Sequence, residues 1–149
     1  MTLATFWLIS ATLALILLTY QDIKNKMVVD DRRNFFLSGM TFALLGVYTK
    51  GLLWLLGVIA ITIFVMLSYG FANKKGWVGS ADVNSLSWIT MGLMICNPIM
   101  LAVFFLALAV VSILTMVFKS VTKYKDALPF YPNIMAAWVI ALMLVRVTI

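Results

Sequence analysis

The sequence predicts an all-α integral membrane protein, a single domain over residues 1–149 that forms a bundle of six transmembrane helices. Hydrophobic residues make up 64% of the chain and charged residues only 11%, against about 25% charged residues in typical soluble domains. The apolar residues fall into six segments separated by polar stretches, without the alternation of a barrel strand. Because a backbone in lipid must satisfy its own hydrogen bonds, each segment is predicted to be a helix.

The first apolar segment, residues 3–20, is predicted to be a transmembrane helix and not a secretory signal. It is longer than the apolar core of a signal peptide, no basic stretch precedes it, and further apolar segments follow. The pair Asn97-Pro98 marks the turn between the fourth and fifth helices, because proline cannot continue helical hydrogen bonding. The five later segments cover about 35–48, 51–71, 83–95, 99–118 and 132–147.

The second and fourth segments are short for a membrane crossing. They correspond to helices on the order of 20 Å long at 1.5 Å per residue, whereas the hydrocarbon core of a bilayer is about 30 Å thick. Either these helices extend into the flanking polar residues, or the bilayer thins around them.

The basic residues predict the orientation. Short loops rich in lysine and arginine stay in the cytoplasm, so both termini are expected outside, with only Lys50 and Arg146 on the outer side. The net charge of +6 is then a topology signal, and a nucleic-acid partner is not expected, since no folded basic surface gathers these residues. Nine of the eleven basic residues follow the first, third and fifth helices: Lys24, Lys26, Arg32, Arg33, Lys74, Lys75, Lys119, Lys123 and Lys125.

The inventory of reactive side chains excludes most catalytic classes. The chain has no histidine and no glutamate, which excludes histidine general bases, HExxH zinc sites and Ser-His-Asp triads. Its single cysteine, Cys96, can form neither an internal disulfide nor a cysteine zinc site. The remaining acids are Asp22, Asp82 and three further aspartates, all expected on the cytoplasmic side: Asp30, Asp31 and Asp126.

Asp22 and Asp82 are separated by three crossings, so both are expected at the same membrane face. Asp22 follows the first helix, whose carboxyl end disfavours an anion, and taken alone it could be a solvated loop residue. Asp82 opens the fourth helix and taken alone could be its N-cap. Gly76 and Gly79 would allow the backbone before Asp82 to bend closely. As a pair at one depth, the two carboxylates indicate an acid/base site.

Three stretches resemble motifs of the type IV prepilin peptidases, a family of GxGD-type intramembrane aspartyl proteases. The first is GSAD, formed by Gly79, Ser80, Ala81 and Asp82, in the form common in the archaeal preflagellin peptidase branch. The second is DIKNKMVVD, residues 22–30. The third is LPFYP, residues 128–132. They occur in family order and span nearly the whole chain.

The sequence departs from the family pattern at three positions. Asn84 stands where a lysine is usual, and Val29 and Asp30 replace a proline and an asparagine. The cytoplasmic region with paired cysteines that methylating members carry is missing, so the resemblance implies peptidase activity without methylation.

The resemblance implies an aspartyl endopeptidase of the cell membrane that uses Asp22 and Asp82 and needs no metal or organic cofactor. Its expected partners are the bilayer and prepilin-like or preflagellin-like substrates, whose short basic leader is cleaved off at the cytoplasmic face. Gly76, Gly79, Ser80 and Ala81 would support Asp82. Asp30 and Asp31 could contact the leader, although a salt-linked loop with Arg32 and Arg33 is the simpler interpretation. The third motif would supply further supporting residues: Pro129, Phe130 and Pro132.

Three other functions stay open on the sequence. A Ser/Lys peptidase could use Ser80 with Lys74 or Lys75, provided that the lysine is desolvated. A small proton or cation transporter could use Asp22 and Asp82, since acids within membranes often mark ion routes. A catalytically silent assembly factor of a pilus or secretion system would retain both aspartates without using them.

Overall fold

The computed structural model describes residues 2–25, 32–75, 79–122 and 129–145. These residues form six α-helices in the predicted order and no strand. The bounds are α1 Leu3–Asn25, α2 Arg32–Tyr48, α3 Leu52–Lys74, α4 Ser80–Cys96, α5 Pro98–Thr122 and α6 Tyr131–Leu144.

The helix boundaries differ from the prediction mainly at the polar ends. α1 continues to Asn25, five residues beyond the predicted end, and α2 and α4 each begin three residues earlier than predicted. The two short helices therefore extend into their polar flanks and reach 17 residues each. Polar side chains do not prevent a helix where water or a neighbouring helix satisfies them, so apolar runs underestimate helix length.

Three of the helices are long and apolar enough to cross a membrane. These are α1, α3 and α5, with 23, 23 and 25 residues and mean hydropathies of 1.9, 2.4 and 2.8. α2, α4 and α6 have 17, 17 and 14 residues, fewer than the roughly 20 that a crossing needs. Long and short helices therefore alternate along the chain.

α4 is the central helix of the bundle. It packs against α1, α2, α3 and α5, while α6 packs against α1 and α5. Ten of the 17 residues of α4 are buried, against three of the 23 residues of α3. A helix surrounded by others needs no apolar outer face, which explains how α4 can carry several polar side chains.

Three tryptophans fill the centre of the core. The Trp7 ring meets the Trp88 and Trp138 rings edge to face, with centroids 6.1 and 6.0 Å apart. Gly92 of α4 makes room for Trp7, because a methyl group there would overlap the Trp7 ring. Trp7 Nε1 donates to Thr41 Oγ1 at 2.8 Å, so the buried indole N–H is satisfied as its burial requires.

The outward-facing helix surfaces are apolar. Phe35 and Leu53 are 85% and 86% exposed, and α3 presents a nearly continuous apolar face along its length. Such a surface suits contact with lipid, since a soluble monomer rarely exposes large apolar patches.

Candidate active site

Six helix ends meet at one end of the bundle, where α1, α3 and α5 end and α2, α4 and α6 begin. We call this the site end. It holds Asp22 and Asp82, as the count of crossings predicted, together with a set of buried polar groups from α2, α4 and α6.

Asp22 is a buried residue of α1 and not a solvated loop residue. It lies one turn before the end of the helix and is only 7% exposed. Its Oδ2 accepts a hydrogen bond from the backbone N–H of Tyr131 at 3.0 Å, and the backbone N–H of Phe130 also stabilises the carboxylate. The prediction of a residue outside the helix was therefore wrong, because α1 does not stop at its last apolar residue.

The first amides of α6 explain why an anion is tolerated at the end of α1. Tyr131 is the first residue of α6 and Phe130 its N-cap, and such amides have no acceptor within their own helix. The positive end of α6 thus offsets the negative end of α1 at Asp22. Phe130 and Tyr131 supply these donors; Pro129 precedes Phe130, and Pro132 lies in the first turn of α6, where a missing N–H is harmless.

Asp82 is the third residue of α4 and not its N-cap. The N-cap is Gly79, and Asp82 Oδ2 accepts the Gly79 N–H at 2.7 Å. This is one half of a capping box, since glycine has no side chain to complete the other half. The carboxylate is 6% exposed.

Gly79 provides space and not unusual backbone freedom. Its φ of −78° and ψ of 160° suit any residue, so the close bend expected from glycine here does not use a backbone conformation special to glycine. A Cβ at this position would lie 3.2 Å from Asp82 Oδ2, a tight contact. Glycine therefore lets the Asp82 carboxylate lie close to the backbone of its own N-cap.

The charge of Asp22 is felt at Asp82. Electrostatic repulsion from Asp22 acts on Asp82, so α1 and α4 bring the acids near one another at the site end. Among the described residues, backbone N–H donors act on each carboxylate, Asp22 acts in addition on Asp82, and no cation offsets their charge. Two buried like charges without a cation are unfavourable, and one shared proton relieves the repulsion.

A buried polar network lies beside the aspartates, and the sequence interpretation missed it. Asn34, Ser85 and Tyr131 are each at most 1% exposed. Ser85 Oγ donates to Asn34 Oδ1 at 2.7 Å and is 2.6 Å from Tyr131 Oη. Asn34 Nδ2 donates to Tyr131 Oη at 3.0 Å, and Trp88 Nε1 donates to Asn34 Oδ1 at 3.0 Å. The network ties α2, α4 and α6 together.

Tyr131 connects this network to both aspartates. Its backbone N–H donates to Asp22, while its hydroxyl lies 3.0 Å from the carbonyl oxygen of Ala81, the residue before Asp82. One residue of α6 therefore bridges the end of α1 and the first turn of α4. The sequence indicates one part of this network: Ser85 follows Asp82 by three positions and so lies on the same face of α4.

The residues of the alternative Ser/Lys site are exposed, and several other predicted residues lie outside the described part of the chain. Ser80, Lys74 and Lys75 are exposed, and the Lys75 Nζ lies over the Phe71 ring, 5.6 Å from its centroid. Neither lysine has the desolvated setting that a Ser/Lys mechanism needs. Gly76, Asp30 and Asp31 lie outside the described residues, as does Asp126.

The chain was also compared with known proteins. No protein-family model, curated protein or solved structure matches it. The comparisons therefore assign no family, and the function has to be argued from the site itself.

Proposed function

We propose that the protein is a membrane aspartyl endopeptidase that removes the short basic leader of prepilin-like or preflagellin-like substrates. The observation that carries the proposal is the pair of buried carboxylates, Asp22 and Asp82, at one end of the bundle, where Asp22 repels a charge on Asp82 and no neutralising cation lies among the described residues. Such an arrangement is unfavourable for stability, and perturbed acids of this kind cluster at functional sites. The three sequence motifs support the same assignment.

The pair can activate water as the carboxyls of aspartic proteases do. With one proton shared by the pair, the ionised carboxylate accepts a proton from water while the protonated carboxyl donates to the scissile carbonyl oxygen. The water oxygen bonds to the carbonyl carbon and gives a tetrahedral intermediate. The C–N bond then breaks as the leaving amine receives a proton from the pair, and one hydroxyl of the intermediate returns a proton to the pair as the carbonyl forms again. The cycle needs no metal.

The substrate class is the one that the sequence resemblance implies, and the position of the acids fits it. A basic leader followed by an apolar helix would place its helix among the apolar helices of the bundle and its leader beyond the site end. The junction between the two would then lie level with Asp22 and Asp82. Acidic groups at that level attract a positively charged leader.

The experiment that tests this proposal is cleavage of a prepilin-like peptide panel by the detergent-purified protein. Wild type is expected to cut at the leader junction, whereas Asp22→Asn and Asp82→Asn are each expected to lose cleavage while remaining folded. At Asp82, asparagine keeps an oxygen that can accept the Gly79 N–H, so the helix start is preserved while the ionisable group is removed. The double variant is expected to be scarcely worse than either single variant, because the acids act as one unit.

Asp126→Asn is the matched control, since it removes the same charge from the segment before α6. It is expected to reduce cleavage only modestly, and Asp30→Asn and Asp31→Asn are expected to behave in the same way. Near-normal cleavage by a folded Asp22→Asn or Asp82→Asn variant would contradict the mechanism. Proton flux across vesicles that depends on both aspartates, without any cleavage, would favour a transporter instead.

A further inference from the structure

A groove runs between α1 and α2 on the outer surface of the bundle. It has a volume of about 450 Å³, within the range of small-molecule sites. Leu13 and Leu17 of α1 line one side and Phe36 of α2 lines the other, while Arg32 and Arg33 lie at the end where α2 begins. We call this the α1–α2 groove. One end of the groove is therefore cationic, and the rest of its lining is mainly apolar.

The cationic end holds a donor without an acceptor. Nη1 of Arg33 is buried and has no hydrogen-bond partner among the described residues. A buried donor left unsatisfied is costly, and more so when it carries charge. Guanidinium groups pair with phosphate oxygens in a fork geometry. Arg33 and Arg32 both line this end of the groove, so their positive charges act together on an anionic oxygen ligand placed there.

The apolar lining of the groove indicates that the ligand also contains a hydrocarbon part. Leu13, Leu17 and Phe36 are 58%, 46% and 62% exposed, so they present bare apolar surface in the groove. The arginines lie at the site end, and the apolar lining extends from there toward the middle of α1. This order, charge at the helix ends and hydrocarbon toward the centre, is the order of a phospholipid in a bilayer.

We propose that the α1–α2 groove binds an anionic phospholipid, with its phosphate at Arg33 and Arg32 and one acyl chain along Leu13, Leu17 and Phe36. Two adjacent cations favour a headgroup with net negative charge over a zwitterionic one, whose own cation they repel. The same charges disfavour a basic peptide leader inside the α1–α2 groove. This proposal is independent of the peptidase function, since it involves neither aspartate.

The test is lipid titration of the detergent-purified full chain, followed by native mass spectrometry. Phosphatidylglycerol and phosphatidylcholine with identical acyl chains are compared, and wild type is expected to bind phosphatidylglycerol more tightly. Arg33→Gln is expected to weaken phosphatidylglycerol binding about fivefold, and Arg32→Gln with Arg33→Gln about thirtyfold, from the contribution of each arginine near an anionic surface. Phosphatidylcholine binding is expected to change little.

Two variants and one competitor complete the test. Lys119→Gln removes a cation at the site end of α5, away from the groove, and is expected to leave the preference intact. Leu13→Trp fills the groove without changing its charge and is expected to weaken the binding of both lipids. Equal affinity for both lipids, an unchanged preference in folded Arg33→Gln, or full competition by inorganic phosphate would each overturn the proposal. If Arg33→Gln does not fold, Arg32→Gln alone is expected to show the fivefold loss.

Discussion

Tyr131 and Asp22 are 109 positions apart in the chain, yet the backbone of one binds the side chain of the other. The tyrosine hydroxyl reaches the opposite side of the site, at Ala81, Ser85 and Asn34. These contacts fix the first turn of α4, which carries Asp82, relative to the end of α1, which carries Asp22. At the scale of single residues, Tyr131 is therefore a positioning residue for the carboxylate pair.

Replacing Tyr131 with phenylalanine separates its two roles. The backbone N–H to Asp22 remains, while the hydroxyl contacts to α4 and α2 are lost. We expect the free energy of unfolding in detergent to fall by about 0.5–2 kcal/mol. With a substrate peptide, kcat is expected to fall roughly fivefold at unchanged KM, the change for about 1 kcal/mol of lost transition-state stabilisation.

Tyr69→Phe provides the control for this substitution. Tyr69 is partly buried in the apolar surroundings of α3, away from the start of α6, and its replacement is expected to change stability by less than about 0.5 kcal/mol. A Tyr131→Phe variant with unaltered kcat would show that the hydroxyl does not position the acids.

The sequence revealed the aspartates but not the residues that hold them. Aspartate is rare in an apolar chain, so Asp22 and Asp82 stand out. Asn34, Ser85 and Tyr131 belong to residue types that are common at helix ends. Their side chains come into contact only because of the way α2, α4 and α6 pack. The burial of Asp22 could not be predicted either, because its compensating amides come from a distant segment.

At the scale of helices, α4 lies at the centre of the bundle and packs very closely against α1. Gly92 allows Trp7 of α1 to lie directly against the α4 backbone, and Trp7 in turn contacts Trp88 and Trp138. Small residues at helix contacts are typical of membrane bundles, because packing contributes much of the association energy there.

Gly92→Ala tests this contact. The added methyl group has to displace the Trp7 ring, so we expect a loss of about 1–3 kcal/mol in the free energy of unfolding, as for other overpacked cores. Thermal unfolding in detergent measures the effect.

Gly57→Ala in α3 is the matched control. A Cβ there meets nothing within 4 Å, and alanine favours a helix more than glycine does, by up to about 1 kcal/mol. We therefore expect unchanged or increased stability. Equal effects of Gly92→Ala and Gly57→Ala would show that Trp7 is not packed against Gly92.

The helix order could be read from the sequence because six apolar segments alternate with polar stretches. The positions of the helix ends were predicted less accurately. α1 passes through Asp22 because that carboxylate is buried against α6, and α4 begins at Ser80 because Asp82 caps the preceding amide. Both extensions depend on hydrogen bonds that a hydropathy pattern does not contain.

At the scale of the whole molecule, the distribution of basic residues predicts the orientation in the membrane. The site end carries Lys24, Arg32, Arg33, Lys74 and Lys119, whereas Lys50 lies at the opposite end between α2 and α3. Because lysine and arginine remain in cytoplasmic loops, the carboxylate pair is expected at the cytoplasmic face.

Cysteine labelling of whole cells checks this orientation. In a Cys96→Ser background, Lys50→Cys is expected to react with a membrane-impermeant maleimide from outside, and Lys123→Cys is expected to react only after the cells are opened. Labelling of Lys123→Cys alone in intact cells would invert the orientation and place the carboxylate pair outside.

The contact between Asp22 and α6 also bears on biosynthesis. A chain is made from its amino terminus, so α1 and α4, which carry the two acids, are synthesised before Tyr131. Until α6 is inserted, Asp22 lacks its two backbone donors, and Asn34 and Ser85 lack the tyrosine hydroxyl. The nascent protein therefore holds both acids without their final support, and the arrival of the sixth helix completes the site.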